Sequence, residues 1–132
     1  MITTAKEFFR EGVKALHIKN YRAATAHFEK AVELGSDNIE HHYHLAYAYF
    51  KRNALPQSMA IIRKALKLNP KKLKTYNLQN PYAAFFVLAA AIHESQGTRD
   101  KAIRAYEKAI RLNSPKKDIL EKRVESLKKQ KK

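Results

Sequence analysis

Three stretches of the chain repeat one pattern and decide its fold: HFEKAVELGS (27–36), IIRKALKLNP (61–70) and AYEKAIRLNS (105–114). Each contains Lys-Ala, then an aliphatic residue, then Leu two places further on. The central alanines of the first two stretches lie 34 residues apart, and the third lies 44 residues beyond the second. A period of this length is typical of a helical solenoid. The longer second interval indicates an insertion of ten residues.

Each repeat is predicted to form two helices. The first helix begins with TAKE (4–7), a capping box in which Thr4 and Glu7 satisfy each other's backbone donors. The second helix spans 21–34, and we expect Gly35 to end it in the left-handed conformation. Further helices are expected to begin near residues 37, 56, 80 and 115, and to break or end near 53, 69, 97 and 112.

Small residues recur in phase within the repeats, where two helices must approach closely. Antiparallel helices approach closely only where their side chains are small. The eighth, twentieth and twenty-seventh places of the three repeats hold Gly12, Ala46 and Ala90; Ala24, Ser58 and Ala102; and Ala31, Ala65 and Ala109. Three copies in the same phase indicate a repeated packing pattern.

This arrangement resembles the tetratricopeptide repeat family over residues 5–114. The resemblance implies an all-α fold, a right-handed α-solenoid of antiparallel helix pairs, in one domain. Glu11, His42, Ser58 and Arg99 depart from the family's pattern, and the first helix of the third repeat can also be aligned one residue earlier. The expected parts are repeats at about 5–38, 39–72 and 83–116, an insertion at 73–82, a capping helix at about 115–129 and a basic tail at 128–132.

In this family the first helix of each pair lines a groove that holds a partner. Carried onto this sequence, the family's contact places imply a partner groove of Phe9, Val13, His17, Tyr43, Tyr47, Phe50 and Phe86. The spacing points independently to the same helix face, because Tyr43, Tyr47 and Phe50 lie at i, i+4 and i+7, while Leu45, Ala46 and Tyr49 take the opposite side. The Lys and Asn residues with which some tetratricopeptide domains grip a terminal carboxylate are absent from the matching places.

The stretch HHYH (41–44) raises the alternative of a metal site. His41 and His44 share a helix face, but a zinc site needs a third or fourth ligand, and only Glu40 is nearby. Packing and surface roles are favoured for these histidines. No catalytic constellation can be placed from the sequence, so we expect neither an enzyme nor a cofactor.

The charge is the strongest anomaly of the composition. The formal net charge is +15, and no Asp or Glu occurs between His41 and His93. Such a field attracts polyanions and acidic proteins, although a simple solubility surface is an equal alternative. The predicted basic surface contains Lys51, Arg52, Arg63, Lys64 and Lys67, with the tail KKQKK (128–132) as a second cluster.

These features favour a non-enzymatic adaptor or chaperone-like module that binds an extended peptide or helix of a protein partner, with basic flanks suited to an acidic one. One alternative is nucleic-acid or polyanion binding through the basic surface and tail. Another is self-association through the apolar stretch YAAFFVLAAAI (82–92), which either the insertion or another chain would cover. Tyr76 and Leu78 are the expected anchors of the insertion.

The cellular location is predicted from composition. The chain has no cysteine, which fits a reducing compartment. The charges of MITTAKEFFREG (1–12) interrupt any apolar core of a signal peptide, and the longest apolar stretch is too short to span a membrane. We therefore expect a cytoplasmic protein.

Overall fold

A computed structural model describes residues 1–130, which form seven α-helices and one short 3₁₀ helix. The end of the predicted basic tail, Lys131 and Lys132, lies outside the described residues. The helices confirm the all-α class and the two-helix repeat. They are α1 Ala5–His17, α2 Tyr21–Leu34, α3 Ile39–Lys51, α4 Leu55–Leu66, α5 Pro81–Ser95, α6 Arg99–Arg111 and α7 Lys117–Lys129, with the 3₁₀ helix at Pro70–Lys72.

The first helix begins as the sequence predicts. The Thr4 hydroxyl accepts a hydrogen bond from the Glu7 amide at 3.1 Å, and the Glu7 carboxylate accepts one from the Thr4 amide at 2.9 Å. Amide donors from Thr3 and Thr4 lower the pKa of Glu7 to about 2. This closed capping box fixes where α1 starts.

The expected left-handed cap at Gly35 is wrong. Gly35 has φ −145°, whereas Lys19, Asn53 and Gly97 adopt φ of 61°, 62° and 77° at the turn inside each helix pair. Gly35 is needed for space instead, since a Cβ there would lie 3.0 Å from both Ala5 Cβ and His41 Cε1.

The chain divides into two compact units, and the first comprises residues 1–78. In this unit α1 packs on α2, α2 on α3 and α3 on α4. The predicted crossing at Gly12 is confirmed, because a Cβ on Gly12 would lie 2.5 Å from the ring of Phe28. The buried cluster of this unit consists of Ala15, Ala24, Phe28, Leu45 and Ala48.

The insertion belongs to the first unit through residue 78. The Lys74 amide donates to Asp37 O at 2.7 Å, and the Ile39 amide donates to Lys74 O at 2.8 Å, which forms a short parallel bridge at the start of α3. The ring of Tyr76, one of the two expected anchors of the insertion, contacts Phe9 of α1 and His41 of α3. Two α-helices of the first unit therefore hold this segment.

The second unit begins at Gln79. Within it α5 packs on α6 and α6 on α7. The cluster contains Ala90, Ala102 and Ala109 from the predicted small-residue places, together with Leu120, Val124 and Leu127 of α7. Leu120, Val124 and Leu127 of the last helix are therefore buried, whereas Ile119 and its other residues are exposed.

Candidate partner-binding site

An uninterrupted series of aromatic rings runs across the first unit from the insertion to the end of α3. Successive ring centroids are 4.9 Å apart for Tyr76 and Phe9, 4.8 Å for Phe9 and His44, and 5.7 Å for His44 and Tyr43. Tyr43, Tyr47 and Phe50 then follow at steps of 6.5 Å. We call these six residues the aromatic track: Tyr76, Phe9, His44, Tyr43, Tyr47 and Phe50.

The α3 part of the track follows from helical spacing. Tyr43, Tyr47 and Phe50 are partly buried and lie along one face, where the first two rings stack and the Phe50 ring is tilted by 41° against Tyr47. On the opposite face, Leu45 is 3% exposed and Ala46 is fully buried. Burial, with a further contribution from the neighbouring Tyr47, raises the pKa of Tyr43 above its ordinary value. The helix is thus apolar on two faces, of which the packing of α3 on α2 and α4 requires only one.

The chain itself covers the other end of the predicted groove. The Phe9 ring contacts Phe28 at 5.7 Å and His41 at 5.5 Å, in addition to Tyr76. Val13 is partly buried against the cluster of the first unit, and His17 is exposed. The predicted groove has Phe9 at this end, but the ring that ends the track here is Tyr76.

The histidines hold backbone and side-chain partners. His41 donates from Nδ1 to Gly35 O at 2.8 Å and accepts the Tyr76 hydroxyl at Nε2, 2.7 Å away. His42 donates to Ser36 O at 2.9 Å, and His44 donates to Glu40 O at 3.1 Å. Burial lowers the pKa of all three. Within residues 1–130, no group of three or more His, Cys, Asp or Glu is placed to hold a metal ion.

Glu40 fastens the insertion to α3, a role that the sequence analysis missed. Its Oε1 atom accepts the Thr75 hydroxyl at 2.6 Å and the amides of Tyr76, Asn77 and Leu78 at 2.5, 2.5 and 3.0 Å. Burial acts to raise the pKa of this carboxyl, but the four hydrogen bonds outweigh it and the pKa lies below its usual value. Glu40 is the only Asp, Glu, Lys or Arg in the stretch 38–50, and this isolated charge was the sequence signal that could have indicated its role.

The five residues of the predicted basic surface are all exposed but fall into two groups. Lys51 and Arg52 end α3, where the Lys51 ammonium lies 5.8 Å from the Tyr21 ring and 6.0 Å from the Tyr47 ring. Arg52 lies over Tyr49. The second group lies at the end of α4, in or just after its last turn, whereas Lys51 and Arg52 precede the start of that helix. This second group contains Arg63, Lys64 and Lys67.

A cation therefore stands at each end of the aromatic track. The Lys6 ammonium lies 5.8 Å from the Tyr76 ring, at the end opposite Lys51. Cations over aromatic faces are attracted by the ring quadrupole. They also leave an exposed positive charge beside an apolar surface, which suits an apolar ligand flanked by acidic groups.

The remaining predicted groove residue, Phe86, lies in the second unit. It is partly buried and packs against the cluster of that unit. Six residues of α5 are buried, and among the described residues no large apolar side chain of α5 is exposed. No helix within residues 1–130 is both long and apolar enough to cross a bilayer.

The helices form antiparallel pairs with small residues at each crossing, and the last helix is polar on its outer side. These features define a tetratricopeptide-type repeat protein. The chain belongs to the family described as YfiO, outer membrane lipoprotein, whose model matches residues 1–117.

Solved structures support the same fold. The Arabidopsis OM64 TPR domain matches with a TM-score of 0.74 at 17% identity, over 93% of this chain and 95% of that chain. The N-terminal domain of stress-induced protein-1 (STI-1) from C. elegans matches with a TM-score of 0.75 at 21% identity, over 94% of each chain. These matches confirm the tetratricopeptide fold. No curated protein matched the chain.

Proposed function

We propose that this protein is a non-enzymatic interaction module that binds an extended peptide or helix of a partner protein along the aromatic track. The observation that carries the proposal is the run of neighbouring rings of Tyr43, Tyr47 and Phe50 on the face of α3 opposite Leu45 and Ala46. Aromatic residues supply much of the binding energy at protein interfaces. The tetratricopeptide fold is a scaffold that presents such surfaces.

The charges at the ends of the track support an acidic partner. Lys6 and Lys51 are exposed and lie against the outermost tyrosines. A ligand with apolar anchors and acidic flanks satisfies both the rings and the ammonium groups. An adaptor or chaperone-like role follows from binding such segments without chemistry.

A capture experiment at two salt concentrations tests the proposal. We expect the wild-type protein to retain a protein partner at high salt and Tyr47→Ala to lose it, because apolar anchoring is less sensitive to salt than phosphate contacts are. Lys30→Ala, an exposed change on α2, is the control and should keep the partner. Equal capture by Tyr47→Ala and wild type would overturn the proposal.

Nucleic-acid binding is a second candidate, favoured by the cluster at the end of α4. Arg63, Lys64, Lys67, Lys71 and Lys72 are exposed, and no salt bridge joins any of them to a residue within 1–130. If phosphates bind there, affinity for a single-stranded oligonucleotide should fall linearly in log salt. Changing Arg63 and Lys64 to Ala should then weaken binding, and Tyr47→Ala should not.

We propose a cytoplasmic location, which the lack of cysteine favours. The matching family, in contrast, is described as an outer membrane lipoprotein. Fractionation of the source cells decides between the two: recovery in the membrane fraction would overturn the cytoplasmic proposal.

A further inference from the structure

The insertion builds a pocket against α1 that a regular repeat would lack. The pocket has a volume of about 540 Å³ and is lined by Lys6, Phe9, Arg10, Thr75, Tyr76 and Asn77. Phe9 and Tyr76 supply aromatic surface, and Lys6 and Arg10 supply two exposed cations. A volume of this size accommodates a short peptide segment or a small ligand.

The two cations of the pocket are left without acidic partners. Lys6 and Arg10 are four residues apart on α1 and hence share a face, and no salt bridge joins either of them to a residue within 1–130. The acids of the same helix are committed elsewhere: Glu7 to the capping box and Glu11 to Lys14. The Glu40 carboxylate, which the insertion encloses, already accepts four hydrogen bonds.

This arrangement opposes helix stability. Like charges at i and i+4 destabilise a helix. The Tyr76 ring beneath Lys6 offsets this repulsion in part, but no carboxylate within residues 1–130 pairs with either cation. Departures from such local rules are expected at functional sites. An external anion beside Lys6 and Arg10 would supply the compensation.

We propose that this pocket binds acidic side chains of a partner peptide, with the peptide's apolar residues continuing onto the aromatic track. The inference rests on the proposed function and specifies its ligand as a peptide with Asp or Glu beside its anchors. Two cations on one helix face, of which Lys6 lies over the Tyr76 ring, match one or two carboxylates. A nucleic-acid strand would instead require phosphate contacts repeated along its backbone, and the basic cluster after α4 offers those better.

The pocket is tested by NMR titration of the isotope-labelled full chain with the capped peptide Glu-Glu-Leu-Glu-Glu. We expect saturable shifts of the backbone amides of Lys6, Arg10, Tyr76 and Asn77. The matched peptide Gln-Gln-Leu-Gln-Gln should bind at least about tenfold more weakly, because hydrogen bonds to charged groups are the stronger ones.

Two double variants separate the pocket from the bulk charge. Lys6→Ala with Arg10→Ala should lose the shifts. Lys14→Ala with Lys30→Ala should keep them, although it lowers the net charge equally, since Lys14 and Lys30 are paired with Glu11 and Glu33. All four positions are helical and exposed, so circular dichroism should be unchanged.

Each other outcome overturns the inference. Absence of shifts, shifts confined to the cluster from Arg63 to Lys72, equal binding of the Gln peptide, or equal loss in both double variants would show that the pocket takes no carboxylates. A stronger effect of Lys6→Ala with Arg10→Ala on a single-stranded oligonucleotide than on the peptide would do the same. The proposed function is tested separately: if Tyr47→Ala loses partner capture, the proposed function is still supported in each of these cases.

Discussion

Gly12 lies where α1 packs tightly on the Phe28 ring of α2. A Cβ at this position would lie 2.5–2.8 Å from three atoms of the Phe28 ring, and Phe28 is fully buried. A contact that short forces the ring or a helix to move. The same place in the next two repeats holds alanine, at Ala46 and Ala90.

Gly12→Ala should therefore destabilise the protein. Overpacking costs about 1–3 kcal/mol, against a gain of roughly 1 kcal/mol in helix propensity. Urea unfolding measures the net change, and the double variant Gly12→Ala with Phe28→Leu should recover part of the loss through the smaller side chain. An unchanged midpoint for Gly12→Ala would contradict the crowding.

Lys19 carries backbone strain that its counterparts in the other repeats avoid. It has φ 61° at the turn inside the first helix pair, where the corresponding residues are Asn53 and Gly97. The left-handed conformation costs an ordinary residue about 1–2 kcal/mol. Lys19→Gly should raise the free energy of unfolding by up to about 1 kcal/mol, as measured by urea unfolding.

The reciprocal change is the control for this strain. Asn53→Lys places an ordinary residue in the same conformation and should lower stability by a similar amount. If both changes shift the unfolding midpoint in the same direction, the strain account is wrong.

The buried histidines predict how stability depends on pH. Burial lowers the pKa of His41, His42 and His44 below 6.5, the value of the unfolded chain, and His93 shifts in the same direction. As pH falls through 6.5, the unfolded chain takes up protons that the folded chain does not, so stability present above that pH is progressively lost.

Urea unfolding between pH 7.5 and 5.5 checks this expectation. Stability should decline with acidification, and His42→Gln, which can still donate to Ser36 O, should make the decline shallower. His17→Gln, at an exposed position, should retain the full decline. A flat wild-type profile would contradict the burial of these rings.

At the scale of elements, one carboxylate holds residues 75–78 of the insertion through four hydrogen bonds. Glu40→Gln should release residues 76–78, because loss of hydrogen bonds to a charged, buried group costs about 1–3 kcal/mol. Hydrogen exchange at these amides should accelerate by about 5- to 100-fold, while amides of α2 remain protected. Asp37→Asn, which removes only an exposed pair with Lys74, is the matched control and should change little.

The same segment should open in acid. The folded pKa of Glu40 is lower than its ordinary value of 4.5, so the attachment is complete above pH 4.5 and is lost as the pH falls through the folded pKa. Exchange at residues 76–78 should accelerate over that range in the wild type and remain pH-independent, apart from intrinsic rates, in Glu40→Gln. Equal acid responses would exclude Glu40 as the group responsible.

The sequence predicted the helices better than the insertion, for a physical reason. Caps and small residues are local and repeat in phase, so the observed helix bounds lie close to the predicted ones. Tyr76 was predicted as an anchor because it is aromatic within a polar segment. Its partners Phe9 and His41 could not be predicted, since they are 67 and 35 residues away in the chain and no local pattern specifies that contact.

The candidate site was predicted in part for the same reason. Tyr43, Tyr47 and Phe50 follow from spacing on one helix. The coverage of Phe9 and the location of Lys51 over two tyrosines depend on tertiary contacts. Gly35 was wrongly predicted to be a left-handed cap. A glycine after a helix can serve either as such a cap or for close packing, here against Ala5 and His41, and its position in the sequence does not distinguish the two.

At the scale of the whole molecule, the net charge of +15 acts on any partner at a distance. Such a field speeds association with acidic molecules and is screened by salt. Apolar contacts along the aromatic track determine instead how slowly a bound partner leaves. We therefore expect the net charge to affect the association rate constant and the aromatic track to affect the dissociation rate constant. Added salt should lower the first and leave the second nearly unchanged.

The most direct test is the affinity of the captured partner for wild type, Tyr47→Ala and Lys30→Ala, measured by calorimetry at about 50 and about 200 mM salt. The account predicts that Tyr47→Ala weakens binding by about 2 kcal/mol or more at both salt concentrations, whereas Lys30→Ala matches wild type. Unchanged affinity in Tyr47→Ala, together with binding that disappears at the higher salt, would contradict it.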